Sequence, residues 1–169
     1  HLRAQVISRG KGRSAIAAAA YRAAERIHDD RLGLEYSYER KLGVEYKEIF
    51  APEDAPAWVH DRAQLWNHVE AAENRKDAQV AREMVVALPV ELNKDEQVAL
   101  LKEFVSDQFV KRGMVADVAL HRDNPENPHA HIMLTTRTIG PEGFGQKARE
   151  WNAKELYMDW RAEWALCAN

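Results

Sequence analysis

Residues 121–134 read HRDNPENPHAHIML and carry three of the seven histidines in this 169-residue chain. His129 and His131 are separated by one alanine, and His121 lies eight positions before His129. Side chains two residues apart on a strand point to the same face, so His129 and His131 share a face with Met133. The intervening Ala, Ile and Leu side chains predict a buried opposite face. If the preceding strand ends at His121 and turns back through the Asp/Asn/Pro segment, all three imidazoles meet.

Three imidazoles converging on one face predict a metal site with open coordination positions. Three protein ligands and an open position are typical of catalytic metals, whereas structural zinc sites use four protein ligands. Imidazole ligands suit zinc, manganese, nickel or iron, so the spacing alone does not select the ion. The alternative is a set of strand-end histidines at the surface that bind no metal. A His-x-His pair facing a third histidine favours the metal.

The flanking segments alternate between helical and extended patterns. We expect a strand at 2–7, a helix capped by Ser14 and reaching about Ile27, a hairpin or two extended segments within 34–52, a helix from Trp58 to about Asn74, a strand at 79–89, a helix from the cap Asn93 to Gly113, strands at 114–120 and 130–137, and a last helix around 156–164. This order predicts an α/β (α+β) fold, with a central, mostly antiparallel sheet and helices packed on its apolar face. Residues 1–169 are expected to form one domain.

Composition sets broad limits on the class of protein. Hydrophobic residues make up 46% and charged residues 30% of the chain, which is ordinary for a globular protein. No apolar run approaches the ~20 residues of a membrane span, and Cys167 is the only cysteine, so we expect a cytoplasmic protein without disulfides. The net charge is −3, yet residues 1–26 carry six Lys and Arg side chains against Glu25 alone. This asymmetry predicts one anion-facing edge.

The pattern HRDNPENPHAHIMLTTR (121–137) resembles the metal motif of the HUH endonucleases, and in particular the MobA/MobL branch of conjugative relaxases. Three further segments resemble the same family in the same order: SAIAAAAYRAAERI (14–27), ENRKDAQVAREMVVALP (73–89) and WNAKELYMDWRAEW (151–164). The resemblance implies a five-stranded sheet with the histidine hairpin in its interior. It also implies one divalent ion, with manganese or magnesium expected first and zinc or nickel as alternatives. Family members usually have a few residues before the strand that begins here at His1, so we expect this strand to be truncated. The chain starts without methionine and ends at Asn169 within a helical pattern, so we expect the N-terminal relaxase module of a longer bacterial protein.

The resemblance also implies a nucleophile, Tyr21, on the first helix. At 100° per residue, Ile16, Ala20 and Ala23 form one narrow stripe, and Tyr21 lies off it among small alanines. The helix alone leaves open a tyrosine packed at the edge of the core. A phenolate can attack a phosphodiester and form a covalent phosphotyrosyl link. The activity implied is the nicking of one DNA strand at a plasmid origin of transfer, with the protein attached to the 5′ phosphate.

Glu83 is the candidate carboxylate of the site. It lies in the apolar strand AREMVV, where a carboxylate needs a partner. We expect it to accept a hydrogen bond from a metal-bound imidazole or to assist proton removal from the nucleophile. The alternative is an edge-strand glutamate paired with Arg82 or another surface cation. Asp123, in the hairpin loop, is a second candidate.

The basic side chains supply candidates for contacts to the DNA backbone. The loop SRGKGRS combines glycines, cations and a helix N-terminus, which suits phosphate. The candidate contacts are Arg9, Lys11, Arg13, Arg22, Arg75, Lys76 and Arg137. Trp151, Trp160 and Trp164 are aromatic rings that can stack on bases, but their helical spacing also predicts core packing for Trp160 and Trp164.

Two other functions remain open at this point. A rolling-circle replication initiator belongs to the same superfamily but often carries a second catalytic tyrosine on the same helix, and this helix has only Tyr21. A non-catalytic, metal-stabilised DNA-binding domain would bind the ion without forming a covalent adduct. For the relaxase, the implied partners are single-stranded origin DNA, accessory relaxosome proteins and a coupling protein, with no membrane insertion.

Overall fold

A central sheet of five antiparallel strands organises the protein, in a computed structural model that describes residues 1–168. Its strands are Leu2–Ser8 (β1), Val44–Phe50 (β4), Gln79–Ala87 (β5), Ala116–His121 (β6) and His129–Leu134 (β7). Their spatial order is β1-β5-β7-β6-β4, and every neighbouring pair is antiparallel. The predicted five-stranded antiparallel sheet is therefore confirmed, with the β6–β7 histidine hairpin in its interior.

Two small antiparallel sheets flank the large one. One pairs Arg26–Asp29 (β2) with Leu34–Ser37 (β3), and the other pairs Arg137–Gly140 (β8) with Gly143–Lys147 (β9). The extended segments within 34–52 are β3 and β4, which belong to different sheets. Of the two arrangements left open by the sequence, the structure has two separate extended segments and not a hairpin.

Helices cover both faces of the central sheet. They are Ala15–Ala23 (α1), Arg62–Ala71 (α2), Lys94–Gln108 (α3) and Lys154–Ala168 (α4). Ile132 of β7 packs in a cluster with residues of α3 and α4, whereas its neighbour Met133 packs with residues of α1 and α2. The expectation of helices on a single apolar face was too simple, because the histidine face also carries apolar residues and is covered by α1 and α2. No helix within residues 1–168 is long and apolar enough to cross a membrane.

The first helix is shorter than predicted. Ser14 caps it as expected by accepting from the amides of Ile16 and Ala17, but the helix ends at Ala23 and not near Ile27. Ala24 takes a left-handed conformation with φ +55°, and the amide of Glu25 then donates to the carbonyl of Ala20 over 3.0 Å. This turn sends the chain into β2. It brings the end of α1 over the histidine face of the sheet.

Candidate metal centre and active site

The β6–β7 hairpin brings the three histidines together. His121 lies directly opposite His129 in the register, and His131 lies opposite Ala119. The ring centroid of His121 is 5.5 Å from that of His129 and 4.6 Å from that of His131, and the third pair is 5.2 Å apart. One ligand nitrogen from each ring can be chosen so that all three lie within 4.8 Å of one another. A single divalent ion fits such a donor set.

Each imidazole also has one ring nitrogen engaged with the protein. Nε2 of His121 lies 2.9 Å from the carbonyl oxygen of Arg22, and Nδ1 of His129 lies 3.1 Å from that of Asn127. Nδ1 of His131 lies 3.3 Å from Oε2 of Glu83. Outer partners of this kind orient a metal-binding histidine and select its tautomer. In each ring the other nitrogen is not engaged in these contacts.

Burial favours the neutral form of two of these rings. It lowers the pKa of His121 to about 4, although the hydrogen bond to the Arg22 carbonyl acts in the opposite direction. Burial also lowers the pKa of His131, against the raising effect of Glu83. Neutral imidazole is the form that binds metals. The protein environment therefore already favours the protonation state that coordination requires.

Glu83 lies at the centre of a buried hydrogen-bond network. Its side chain is fully buried, and strand pairing places it opposite Gln5 of β1. Oε1 accepts from Nε2 of Gln5 over 2.7 Å, and Oε2 accepts from Nε of Arg22 over 2.6 Å as well as facing His131. Burial opposes ionisation, but the hydrogen bonds from His131 and Arg22 outweigh it and hold the pKa of the carboxyl well below its usual range. The structure thus places Glu83 beside a candidate metal ligand, and its partner is Arg22 and not Arg82.

Tyr21 lies beside this network, near the end of α1. Its ring is 43% exposed and meets the ring of Tyr38 edge-on, with centroids 5.1 Å apart. The Lys41 ammonium is 4.8 Å and the Arg22 guanidinium carbon 5.2 Å from the Tyr21 ring centroid. Arg22, the next residue along the chain, contacts His121 through its carbonyl and Glu83 through its guanidinium. The end of α1 is therefore held against the histidine cluster, with an accessible phenol next to it.

Lys41, Tyr38 and Gln5 belong to this site although the sequence did not single them out. Lys41 follows β3 and comes within reach of Tyr21 only because β2 and β3 fold back over α1. Burial lowers the pKa of the Lys41 ammonium, Asp123 opposes this, and Arg22 adds to the lowering. The only signal was the turn-forming segment KLG, which does not show what it faces. Tertiary contacts between distant segments have no local signature.

The basic loop before α1 differs from the expectation. The Arg9 guanidinium is directed inwards, where Nη2 donates to Oε1 of Glu70 over 2.7 Å and Nη1 donates to the Glu73 carbonyl over 3.0 Å. The first amides of α1 are also satisfied, since Ser14 caps two of them and the amide of Ala15 donates to Oε2 of Glu70. Arg9 and this helix terminus therefore do not form an open phosphate site. They attach the loop to α2.

The other candidate cations differ in their exposure to solvent and in their ion pairing. Lys11 and Lys76 are exposed, and Arg13 is half-buried beside Gln5. Arg75 is exposed and pairs with Asp77. Two of the cations are held by buried carboxylates, Arg22 by Glu83 and Arg137 by Glu73 at 2.8 Å.

The tryptophans are core residues. Trp160 and Trp164 are fully buried and Trp151 is 5% exposed, so none offers a ring to a base. Trp164 packs edge-on against Phe104, and Trp160 packs edge-on against Phe109. Of the two interpretations given by the sequence, core packing is confirmed for Trp160 and Trp164. Trp151 packs in the same cluster.

The fold is shared with two solved structures. A structure described as the molecular basis of vancomycin resistance transfer in Staphylococcus aureus superposes with a TM-score of 0.93 at 36% identity, covering 100% of this chain and 90% of that one. The conjugative relaxase TrwC, solved in a metal-bound complex with oriT DNA, shares the fold alone, with a TM-score of 0.57 at 12% identity over 99% of this chain and 69% of that one. This chain has the fold of these structures, with three histidines converging on one face of the antiparallel sheet.

Sequence comparison identifies the family of the chain. The MobA/MobL family profile matches residues 13–169, and the chain belongs to this family. It is 42% identical to the conjugal transfer protein TraA of Rhizobium radiobacter over 87% of this chain, and 39% identical to the mobilization protein MobL of Acidithiobacillus ferridurans over 89%. The matched regions make up only 14% and 46% of those two proteins. The predicted family membership is therefore confirmed.

Proposed function

We propose that this protein nicks one strand of DNA at an origin of transfer by metal-dependent transesterification, and that Tyr21 becomes joined to the 5′ phosphate. The observation that carries the proposal is the contact between the nucleophile helix and the candidate metal ligands. The Arg22 carbonyl lies 2.9 Å from His121 although the two residues are 99 positions apart. This contact supports an active site that combines the exposed phenol of Tyr21 with three imidazoles and the buried carboxylate of Glu83.

The chemistry assigned to Tyr21 is an in-line displacement at phosphorus. The Tyr21 phenol loses its proton to water, its oxygen forms a bond to the scissile phosphorus, the bond from phosphorus to the 3′ oxygen breaks, and the released 3′ oxygen takes up a proton from water. A divalent ion held by His121, His129 and His131 would neutralise charge on the non-bridging phosphate oxygens. Manganese or magnesium remains the first expectation for that ion, since imidazole ligands alone do not select it.

The surrounding side chains have separate roles in this proposal. Lys41 carries its charge beside the Tyr21 ring, where it would stabilise the negative charge that develops on the phosphate. Glu83 orients His131. It is a poor base for Tyr21, because its oxygens already accept from Gln5 and Arg22 and its pKa is depressed.

A gel assay for the covalent adduct tests the nucleophile. Wild-type protein is mixed with divalent metal and a pool of end-labelled origin oligonucleotides, and adducts are separated on a denaturing gel. Tyr21→Phe keeps the exposed ring and removes only the hydroxyl, so we expect unchanged folding and DNA binding but no adduct. Tyr157→Phe is the matched control, since Tyr157 packs on the opposite face of the sheet beside Leu2. An adduct formed by Tyr21→Phe would refute the assignment.

The adjacent Tyr38 gives the rolling-circle alternative a specific test. Its ring lies 5.1 Å from that of Tyr21, so a second phenol is present in space although α1 itself carries only one. An initiator using two tyrosines would form an adduct through either residue. We expect Tyr38→Phe to retain the adduct and the Tyr21→Phe variant to lack it, as a single-tyrosine relaxase requires. An adduct mapped to Tyr38 by mass spectrometry would favour the initiator.

The partners follow from the same proposal. Single-stranded origin DNA is the substrate, and accessory relaxosome proteins and a coupling protein are partners of the complete protein. The exposed cations Lys11 and Lys76, with Arg13 and Arg75, are the proposed backbone contacts that retain free or weakly paired charge. The measurement is the salt dependence of DNA affinity, whose slope falls by about one for each phosphate contact removed.

A further inference from the structure

An arginine outside the proposed nicking site is buried without a counter-ion among residues 1–168. Arg82 of β5 is only 7% exposed, and its Nη2 donates to Oδ1 of Asn152. Its Nη1 is buried and has no hydrogen-bond partner within residues 1–168. Burial lowers the pKa of this guanidinium, and no carboxylate among the residues that the structure describes counteracts the effect. Buried guanidinium groups are normally paired, so an unpaired one needs an explanation.

The surroundings of Arg82 are basic. Arg82, Lys147, Arg149 and Asn152 line a recess of about 20 Å³, which is room for one water molecule or one phosphate oxygen. The recess adjoins a groove of about 670 Å³ that shares Lys147, Arg149 and Asn152 with it. Arg149 is exposed and forms no ion pair within residues 1–168. The recess therefore contains three cationic side chains and no acidic one.

The carboxylates of the larger groove are already neutralised. Glu73 faces both Arg137, at 2.8 Å, and Lys147, at 3.3 Å. Asp77 pairs with Arg75. The groove thus keeps a net positive charge after its ion pairs are formed. This charge lies on the side of Arg82 and Arg149. An anion entering there meets no unpaired carboxylate.

We propose that this groove binds a phosphate group, with one phosphate oxygen in the recess facing Nη1 of Arg82. The planar guanidinium fork matches two oxygens of a phosphate, and an exposed Arg149 can close over it from the solvent side. The phosphate belongs either to a DNA backbone or to a small free phosphate. Binding of a DNA phosphate rests on the proposed function, whereas binding of a small free phosphate does not.

The groove is separate from the nicking centre. Neighbouring residues of a strand point to opposite faces, so Arg82 faces away from the network of Glu83. Along β7, Arg82 is paired with Leu134, whereas Val85 is paired with His131, three residues further along β5. This corresponds to roughly 10 Å at the strand rise. A DNA phosphate bound here would lie outside the nicking centre and on the far side of the sheet.

The first test uses inorganic phosphate as the probe. The melting temperature is measured in phosphate and in chloride at equal ionic strength for wild type, Arg149→Gln, Arg82→Met and Arg161→Gln. Arg161 is an exposed arginine of α4 outside the groove and is the matched control. We expect phosphate to stabilise wild type and Arg161→Gln, with about tenfold weaker binding in Arg149→Gln. Because Arg149 is exposed and unpaired, its substitution tests the site even if Arg82→Met does not fold.

The second test identifies the source of the phosphate. The affinity for a labelled oligonucleotide duplex with a single-stranded extension is measured between 50 mM and 200 mM salt, a range that resolves the salt slope. For a DNA phosphate, Arg149→Gln lowers the slope by about one and Arg161→Gln does not. A response to inorganic phosphate with unchanged DNA binding supports the small free phosphate.

One outcome overturns the proposal. The proposal fails if Arg149→Gln and wild type show the same stabilisation by inorganic phosphate and the same salt slope for DNA binding. Nη1 of Arg82 is then satisfied by water, and the groove is not a phosphate site. The covalent adduct, measured with saturating DNA, keeps this result separate from the proposed function. An absent adduct with an intact phosphate response would refute the nicking activity alone.

Discussion

Replacing Glu83 with glutamine tests whether this carboxylate holds the metal centre in place. The substitution keeps the volume and planarity of the side chain but removes its charge and turns one acceptor into a donor. Both oxygens of Glu83 face donors: Gln5 and Arg22 at Oε1, and Arg22 and His131 at Oε2. Whichever way the new amide is oriented, its NH₂ group meets an existing N–H. The variant therefore loses at least one pair of hydrogen bonds as well as the counter-ion of Arg22.

The Glu83→Gln substitution should lower both the stability of the fold and the affinity for metal. Removing one partner of a buried ion pair costs ~3–5 kcal/mol, but Arg22 is 18% exposed and regains part of its hydration, so we expect about 2–3 kcal/mol. In a protein of this length that lowers the melting temperature by roughly 4–12 °C. His131 also loses the carboxylate that orients it, and such a loss costs about 10- to 100-fold in metal affinity.

The two effects are separated by a matched control. Glu73 is also a buried carboxylate that holds two cations, Arg137 and Lys147, but it contacts none of the histidines. Glu73→Gln should lower the melting temperature to a similar extent and leave the metal dissociation constant unchanged. Calorimetric titration of both variants with manganese makes the comparison. Equal metal affinity in Glu83→Gln and wild type would show that Glu83 stabilises the fold without positioning His131.

Three further predictions concern the same region. His129→Ala should weaken metal binding by more than about 100-fold, measured by the same titration, because a direct ligand contributes more than an outer partner; tight binding in this variant would refute the three-histidine site. Ala24→Gly should raise the free energy of unfolding by ~0.5–1 kcal/mol in denaturant melts, since glycine adopts φ +55° without the strain of a Cβ; a destabilised variant would contradict this. Lys41→Gln should slow single-turnover adduct formation by about 10²-fold with unchanged metal affinity, and Lys41→Arg should recover part of the rate; a wild-type rate in Lys41→Gln would remove this residue from the mechanism.

The features that the sequence predicted are those set by local periodicity. His129 and His131 share a face because strand side chains alternate, and the Pro/Asn loop returns the chain so that His121 faces His129. Trp160 and Trp164 repeat at helical spacing and are buried, as that spacing indicates. In each case the feature can be predicted from a few residues that are close together in the sequence.

The features that it missed depend on contacts between distant segments. The helix was extended to Ile27 because alanine is the strongest helix former and no glycine marks the stop at Ala24. Arg9 was interpreted as a phosphate contact because its partner Glu70 is 61 residues away. Lys41 was not singled out, since its position beside Tyr21 requires the β2–β3 hairpin to fold back over α1.

Arg22 connects the two halves of the proposed active site through a single residue. Its carbonyl orients His121 and its guanidinium neutralises Glu83, which in turn orients His131. The first of these contacts is made by backbone, and Tyr21 is the preceding residue. The backbone of Tyr21, the proposed nucleophile, is therefore held near His121 by one peptide unit and one hydrogen bond. Because displacement at phosphorus loses rate when the reacting atoms are misplaced by about 1 Å, this backbone connection would help to keep Tyr21 aligned with a phosphate in the proposed mechanism.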